Sequence, residues 1–225
     1  FDGIDGLDQL ISIENVIGSS KSDRIIGSNE DNDIRSGAGD DIVEGLGGND
    51  RLRGDAGNDT LDGGSGDDVF IEIDDGNNTL IGGSGDDIFL SRVSNDDIDG
   101  GSGTDTVFYA ISTSAVTVDL IEGMGSGGDA AGDTFKGIEN IDASQNNDTL
   151  IGIEENNRIE GNDGDDFLIG NGGDDTLDGG DGVDTVSYES PTALGISIAL
   201  DERFIGNFDG IDGLDQLISI ENVIG

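Results

Sequence analysis

The chain has 225 residues, of which 41 are Gly and 51 are Asp or Glu, against nine Lys and Arg, for a formal charge of −42. With no Cys and no His, it has no disulfide framework, thiol catalyst, imidazole metal ligand or Ser-His-Asp triad. Such a charge repels nucleic acid and anionic lipid, and what offsets it inside a fold must be a hard cation on oxygen ligands.

Leu, Ile, Val and Phe total 61 residues, enough for a thin core, and 28 of them are Ile, a bias toward strands. Gly at this density disfavours helices, and no apolar run approaches the ~18 residues of a membrane span. The first element, 1–17, reads as the end of a connector belonging to a preceding unit. Residues 1–18, FDGIDGLDQLISIENVIG, recur letter for letter as 208–225, an offset of 207. Fold constraints never fix surface letters so tightly. The chain therefore holds one unit plus an overlap, its parent is expected to carry the unit in tandem, and Phe1 reads as an internal position.

Residues 18–108 divide into ten successive registers, nine of nine residues and one, EIDDGNNTLI, of ten. GLGGNDRLR, GDAGNDTLD and GGSGDDVFI are typical. Position six is Asp23, Asp41, Asp50, Asp59, Asp68, Asp87, Asp96 or Asp105, with Asn32 and Asn78 as exceptions; position eight is always Ile, Val, Leu or Phe. An x-U-x ending, with U a large apolar residue, gives a three-residue strand whose middle side chain points inward. The preceding Gly-rich residues reverse the chain, with Gly at positions one, two and four allowing positive φ. Two nonapeptides then make one coil, and coils stack at ~4.8 Å. The inward residues form two ladders, Ile25, Val43, Leu61, Leu80 and Ile98 facing Ile34, Leu52, Phe70, Phe89 and Val107.

Position-six carboxylates two repeats apart lie one above the other, where like charges ~5 Å apart oppose stacking. A Ca²⁺ between them reverses the sign, with turn carbonyls completing its six to eight oxygen ligands; Mg²⁺ fits less well. Pairs with Gly-rich turns, such as Asp41/Asp59, Asp50/Asp68, Asp68/Asp87 and Asp87/Asp105, are the strongest candidates, and those containing Asn bind more weakly. The first two repeats, 18–35, are poor in Gly and are expected to open the run without an ion. The competing reading is that Asp and Gly only make soluble turns, but turns alone do not require Asp at every sixth position.

Residues 109–142 break the register and read as a β connector, with Val116, Val118 and Leu120 alternating as a strand longer than those of the roll. The nine-residue period resumes over 143–187 in five repeats, with Asp148, Asp166, Asp175 and Asp184 at position six and Asn157 as the weaker exception. Leu150, Leu168 and Val186 face Ile159 and Leu177, Asp166/Asp184 is the strongest pair, and 143–160 is again poor in Gly. The last element, 188–225, is a second connector in which Ile196, Ile198 and Leu200 alternate. The connector loops, Asp129 with Asp133 and Asp209 with Asp212 and Asp215, are candidates for further Ca²⁺ or for ordinary solvated turns. In all, eight pairs in the first run and three in the second set about eleven as the upper number of ions.

The fifteen registers follow G-G-x-G-x-D-x-U-x, and this pattern resembles the calcium-binding nonapeptide repeats of RTX proteins. The resemblance implies an all-β chain of parallel β-roll (β-solenoid) runs, and the connectors resemble those linking calcium rolls in RTX surface proteins. It further implies secretion from a bacterium by a type I system to the extracellular space or cell surface. No catalytic constellation is visible: the carboxylate pairs that could suggest a glycosidase are absorbed by the repeat register, and no phosphate loop or activated nucleophile is present. The expected role is a calcium-folded structural unit of a large repeat protein, a fibre, surface-layer or adhesin stalk, whose partners are adjacent copies of the same unit, in one chain or in a filament. The alternative is an accessory module that assists secretion and folding of an enzyme or toxin.

Overall fold

A computed structural model describes residues 13–92, 94–189 and 215–224. Its regular structure is almost wholly strand. In chain order these are β1 (Asn15–Ile17), β2 (Arg24–Ser28), β3 (Asp33–Ala38), β4 (Ile42–Leu46), β5 (Arg51–Ala56) and β6 (Thr60–Ser65). There follow β7 (Val69–Glu72), β8 (Thr79–Ser84), β9 (Ile88–Ser91), β10 (Asp97–Ser102) and β11 (Thr106–Phe108). Beyond the first run come β12 (Thr117–Asp119), β13 (Met124–Ser126), β14 (Thr134–Lys136), β15 (Asn140–Asp142), β16 (Thr149–Ile151) and β17 (Arg158–Glu160). The last are β18 (Phe167–Ile169), β19 (Thr176–Asp178), β20 (Thr185–Ser187), β21 (Gln216–Ile218) and β22 (Asn222–Ile224).

The described residues form two compact units, one drawn from 1–107 with 132–138 and the other from 108–131 with 139–225. In the first, successive strands alternate between two parallel sheets, β1-β3-β5-β7-β9-β11 and β2-β4-β6-β8-β10-β14. Strand n pairing with strand n+2 is the signature of a β-solenoid, and it is what a nine-residue half-coil dictates. The register is residue for residue: Val43↔Leu61, Leu61↔Leu80 and Leu80↔Ile98 on one side, Ile34↔Leu52, Leu52↔Phe70 and Phe70↔Phe89 on the other. These inward residues are completely buried, apart from the half-buried Ile25 of β2. Phe70 and Phe89 stack with ring centroids 4.7 Å apart. Because each layer is one side chain deep, no neighbour can close a gap. Leu61→Ala is therefore expected to cost about 2–5 kcal/mol, read as a lower urea midpoint at saturating Ca²⁺.

The second unit repeats the plan with β15-β17-β19-β21 and β13-β12-β16-β18-β20-β22. Leu150↔Leu168↔Val186 and Ile159↔Leu177 hold the register.

Several features differ from the sequence expectation. Strands of the first run reach six residues rather than three, because Gly64↔Gly83 and Ser65↔Ser84 carry the ladder from the x-U-x triplet into the turn. The connector strand is shorter than its alternation suggests. β12 keeps only Thr117–Asp119 and pairs antiparallel with β13. Val116 leaves the strand because its amide is drawn to Asp148 Oδ1 at 2.7 Å. The connector also extends the rolls rather than only separating them: Phe135 continues the ladder of the first unit above Ile98, and Val118 that of the second beside Leu150. Ile196, Ile198 and Leu200 lie outside the described residues.

Candidate metal sites

Each position-six side chain stands at the base of its turn, immediately before the strand. One carboxylate oxygen ties two coils together. Oδ1 accepts the amide of the position-six residue one coil earlier: Asp41 N–H to Asp59 Oδ1 at 2.8 Å, Asp50 to Asp68 at 2.7 Å, Asp68 to Asp87 at 2.7 Å, Asp87 to Asp105 at 2.8 Å and Asp166 to Asp184 at 2.8 Å. The second oxygen has no donor. Oδ2 of Asp41, Asp50, Asp59, Asp68, Asp87, Asp166 and Asp184 is buried and accepts no hydrogen bond. A buried carboxylate oxygen left without a partner is costly, and the group that satisfies a column of them must be cationic.

Glycine at position one is explained by this oxygen. Gly63 has an ordinary φ, but a Cβ there would lie 2.1 Å from Asp68 Oδ2, so the missing side chain is the space the carboxylate occupies. The sequence reading assigned positive φ to this position, and that is corrected: it belongs to positions two and four. Gly66, at position four, has φ +122°, and its absent Cβ would meet the Gly48 carbonyl oxygen of the coil below at 2.0 Å. Position two takes positive φ even without glycine, at Leu46, Asp55, Asn162 and Asn171.

Electrostatics point the same way. Burial, outweighing the inter-coil amide bond and reinforced by neighbouring carboxylates, pushes Asp68 and Asp166 up to about 7 and Asp50, Asp59 and Asp87 up to about 6. Asp148 and Asp184 are raised for the same leading reason. Without a counter-charge these groups lose their protons less readily than ordinary aspartates. Among the described residues no three acidic side chains converge on one point. A cation held here would therefore draw its remaining ligands from turn carbonyls and water, as the flexible oxygen shell of Ca²⁺ allows.

A family model of the RTX calcium-binding nonapeptide repeat matches residues 17–52, 44–71, 73–107 and 151–186, more than half of the chain. The chain belongs to the RTX calcium-binding repeat family. No curated protein matches it.

RTX repeats bind calcium, and the buried oxygens divide these repeats into open and closed turns. In the four glycine-poor repeats at 18–35 and 143–160, the position-two amide folds back onto the position-six side chain. Ser19 N–H donates to Asp23 Oδ2 at 2.6 Å, Ser28 to Asn32 Oδ1 at 2.7 Å, Ser144 to Asp148 Oδ2 at 2.8 Å and Ile153 to Asn157 Oδ1 at 2.8 Å. Asp96 is closed differently, its Oδ2 accepting the hydroxyls of Ser91 at 2.5 Å and Ser94 at 3.0 Å. Ser36, also at position one, turns its hydroxyl to the Gly54 carbonyl at 2.9 Å and leaves Asp41 Oδ2 without a donor. Asp105 and Asp175 are buried with Oδ2 against Gly100 and Gly170, in the arrangement of the open turns.

Asn78 has a compensating neighbour. Glu72, at position one of the ten-residue repeat, is fully buried, accepts the Gly54 amide at 2.6 Å and the Asn78 side-chain amide at 3.3 Å, and is pushed by burial up to about 8. It brings into that turn the carboxyl that Asn78 lacks.

Two features escape nonapeptide counting. Position five carries a second, exposed ladder in the reverse sense, Asp31 Oδ1 accepting Asn49 N–H at 2.8 Å, and Asp67 Oδ1 accepting Asp86 N–H at 2.9 Å. Within the connectors, Asp133, Asp215 and Glu221 take the place of position six, accepting the amides of Asp96, Asp175 and Asp184 at 2.9, 3.0 and 2.8 Å. The signal was the triplet alone, an acid followed by x-U, in Asp-Thr-Phe (133–135), Asp-Gln-Leu (215–217) and Glu-Asn-Val (221–223). As loop candidates, Asp133 and Asp215 are thus buried in coil ladders, Asp129 is buried beside Ser112, whose hydroxyl accepts its amide at 3.1 Å, and Asp209 and Asp212 lie outside the described residues.

Proposed function

We propose that the chain is a calcium-folded structural unit of a large secreted repeat protein, a fibre, surface-layer or adhesin stalk, in which Ca²⁺ neutralises the open turns and stiffens the roll. One observation carries it: a column of buried carboxylate oxygens without donors, in the turns whose position-two residue takes a positive φ. Millimolar extracellular Ca²⁺ would saturate such sites, whereas a cytosol poor in Ca²⁺ leaves them empty and the chain loose enough for export. RTX repeats are typical of secreted proteins, and no helix among the described residues is long and apolar enough to cross a membrane. The 207-residue reiteration favours a tandem array over an accessory module, which needs only a few coils.

The ligand assignment follows from the open and closed turns. Asp41, Asp50, Asp59, Asp68, Asp87, Asp166 and Asp184, with Asp105 and Asp175, supply the ion-binding oxygens; Asp96 and Asp148 serve as coil ties, and Asp23 closes its own turn. Asp68→Asn keeps the Oδ1 acceptor and removes the charge shared by two slots. Calorimetric titration is expected to lose about one or two ions per chain in this variant and none in Asp148→Asn. Equal stoichiometry in Asp68→Asn and the parent would refute the assignment. A parent chain carrying one copy beside a hydrolase domain would favour the accessory module instead.

A further inference from the structure

The repeated segment occurs at both ends of the chain, and its two occurrences are held by different atoms. In the first, Glu14 C=O accepts Asp33 N–H at 2.8 Å and Gly18 N–H donates to Arg35 C=O at 2.7 Å, with Val16 opposite Ile34. In the second, Asn222 N–H donates to Asp184 C=O at 2.9 Å and Ile224 C=O accepts Tyr188 N–H at 2.7 Å, with Val223 opposite Val186. Glu221 adds its carboxylate, accepting Asp184 N–H at 2.8 Å. At an offset of 207, Glu221, Asn222 and Ile224 are Glu14, Asn15 and Ile17, so the carbonyl of residue 14 and the amide of residue 18 bond toward the following coil, and the amide of residue 15 and the carbonyl of residue 17 toward the preceding one, where the Glu221 amide also reaches the Asp184 carbonyl at 3.2 Å. No backbone atom is claimed twice. A strand interior to a parallel ladder alternates in this way, bonding both neighbours through alternate residues.

Side chains give the same division. Ile13 is 49% exposed, but its counterpart Ile220, with a coil beneath it, is 9% exposed. Val16 and Val223 are each half-buried, covered on one side only by the fully buried Ile34 and Val186.

We propose that the segment is a joint: in a tandem array one copy of NVI, residues 222–224 of one unit and 15–17 of the next, is bonded on both edges, so that the β-roll passes from unit to unit without interruption. The partner is the following copy of this chain. The joint rests on the tandem-array reading and adds to it that adjacent units share a core layer instead of being tethered by a linker.

The test compares the chain with a two-unit protein, residues 1–225 followed directly by residues 19–225, both in saturating Ca²⁺. An Ile224→Val mark at the joint, where the side chain is partly exposed, gives its peptide a distinct mass for hydrogen-exchange mass spectrometry. In the single chain the amide of Val223 has no following coil to bond. In the two-unit protein it is expected to exchange at least about 100-fold more slowly, as fast as those of interior strands. Equal exchange of the joint peptide in the two proteins, with both showing a Ca²⁺-dependent β spectrum, would overturn the joint and leave the array reading standing. Failure of the single chain to gain that spectrum with Ca²⁺ would remove the reading and the joint together.

Discussion

Chelation of calcium at pH 7.4 is expected to abolish most of the β signal in circular dichroism, and excess Ca²⁺ to restore it. The roll has a core one residue deep and a Gly-rich backbone whose ordering entropy is large. Against that thin margin stand at least seven buried carboxylate oxygens that accept nothing in the protein itself. The pH dependence of the chelated chain follows from the raised carboxyls. Ordinary aspartates titrate near 4, but Asp68 and Asp166 in the folded roll do so at about 7 and Asp50, Asp59 and Asp87 at about 6. A group whose pKa rises on folding takes up protons as the chain folds, so its stabilising contribution is complete below the unfolded value and disappears as pH climbs through the folded one. The metal-free chain is therefore expected to be more ordered near pH 5 than at pH 7.4, and the Ca²⁺ requirement to steepen across that window. A chelated chain with the same β spectrum at pH 7.4 as in Ca²⁺ would contradict this account.

Two neighbouring glycines should fail in different ways when changed to alanine. Gly66→Ala forces an L residue to φ +122° and drives its Cβ against the Gly48 carbonyl, a backbone atom that can move only by parting two coils. Backbone strain of about 1–3 kcal/mol and overpacking of about 1–3 kcal/mol add here, and the urea midpoint at saturating Ca²⁺ should drop accordingly. Gly63→Ala has no φ penalty. Its Cβ collides with the Asp68 side chain, Oδ2 at 2.1 Å and Cγ at 2.7 Å, so the carboxylate must turn away and the ion-binding turn is spoiled. Expected is a loss of roughly 10–100-fold in affinity at the affected slots, with a smaller change in the saturated stability. A Gly63→Ala variant that binds Ca²⁺ as the parent does would show that Asp68 Oδ2 faces no ion.

The nine-residue period made the solenoid, both ladders and their register legible, because U at position eight can only point inward and a one-residue slip would turn every ladder residue out. Position six was equally plain. What the period concealed was the difference between carboxylates that share the same letter. Asp68 and Asp148 are both buried at position six, yet Asp148 is closed by the amide and hydroxyl of Ser144 while Asp68 Oδ2 faces the gap left by Gly63. That distinction lies at position two, four places earlier: Gly64 takes φ +101° and turns its amide away, whereas Ser144 does not take a positive φ and closes onto Asp148. The coils inside the connectors are not visible to nonapeptide counting because they keep only the acid-x-U triplet. Asp133-Thr134-Phe135 stacks on the roll as faithfully as any nonapeptide, and the intervening length is free to vary.

The ties through Asp Oδ1, and the strand hydrogen bonds beside them, all join one coil to the next, so they are directed along the stacking direction. Were such a roll pulled along its stacking direction, these bonds would be loaded head-on rather than in shear, and those of the outermost coil would give way before the next were strained. Extension would then proceed by peeling, each released pair of nonapeptides lengthening the tether and freeing its metal. On relaxation, surroundings rich in Ca²⁺ would wind the lost turns back, and the roll would behave as a ratcheted spring whose stiffness is set by the calcium around it.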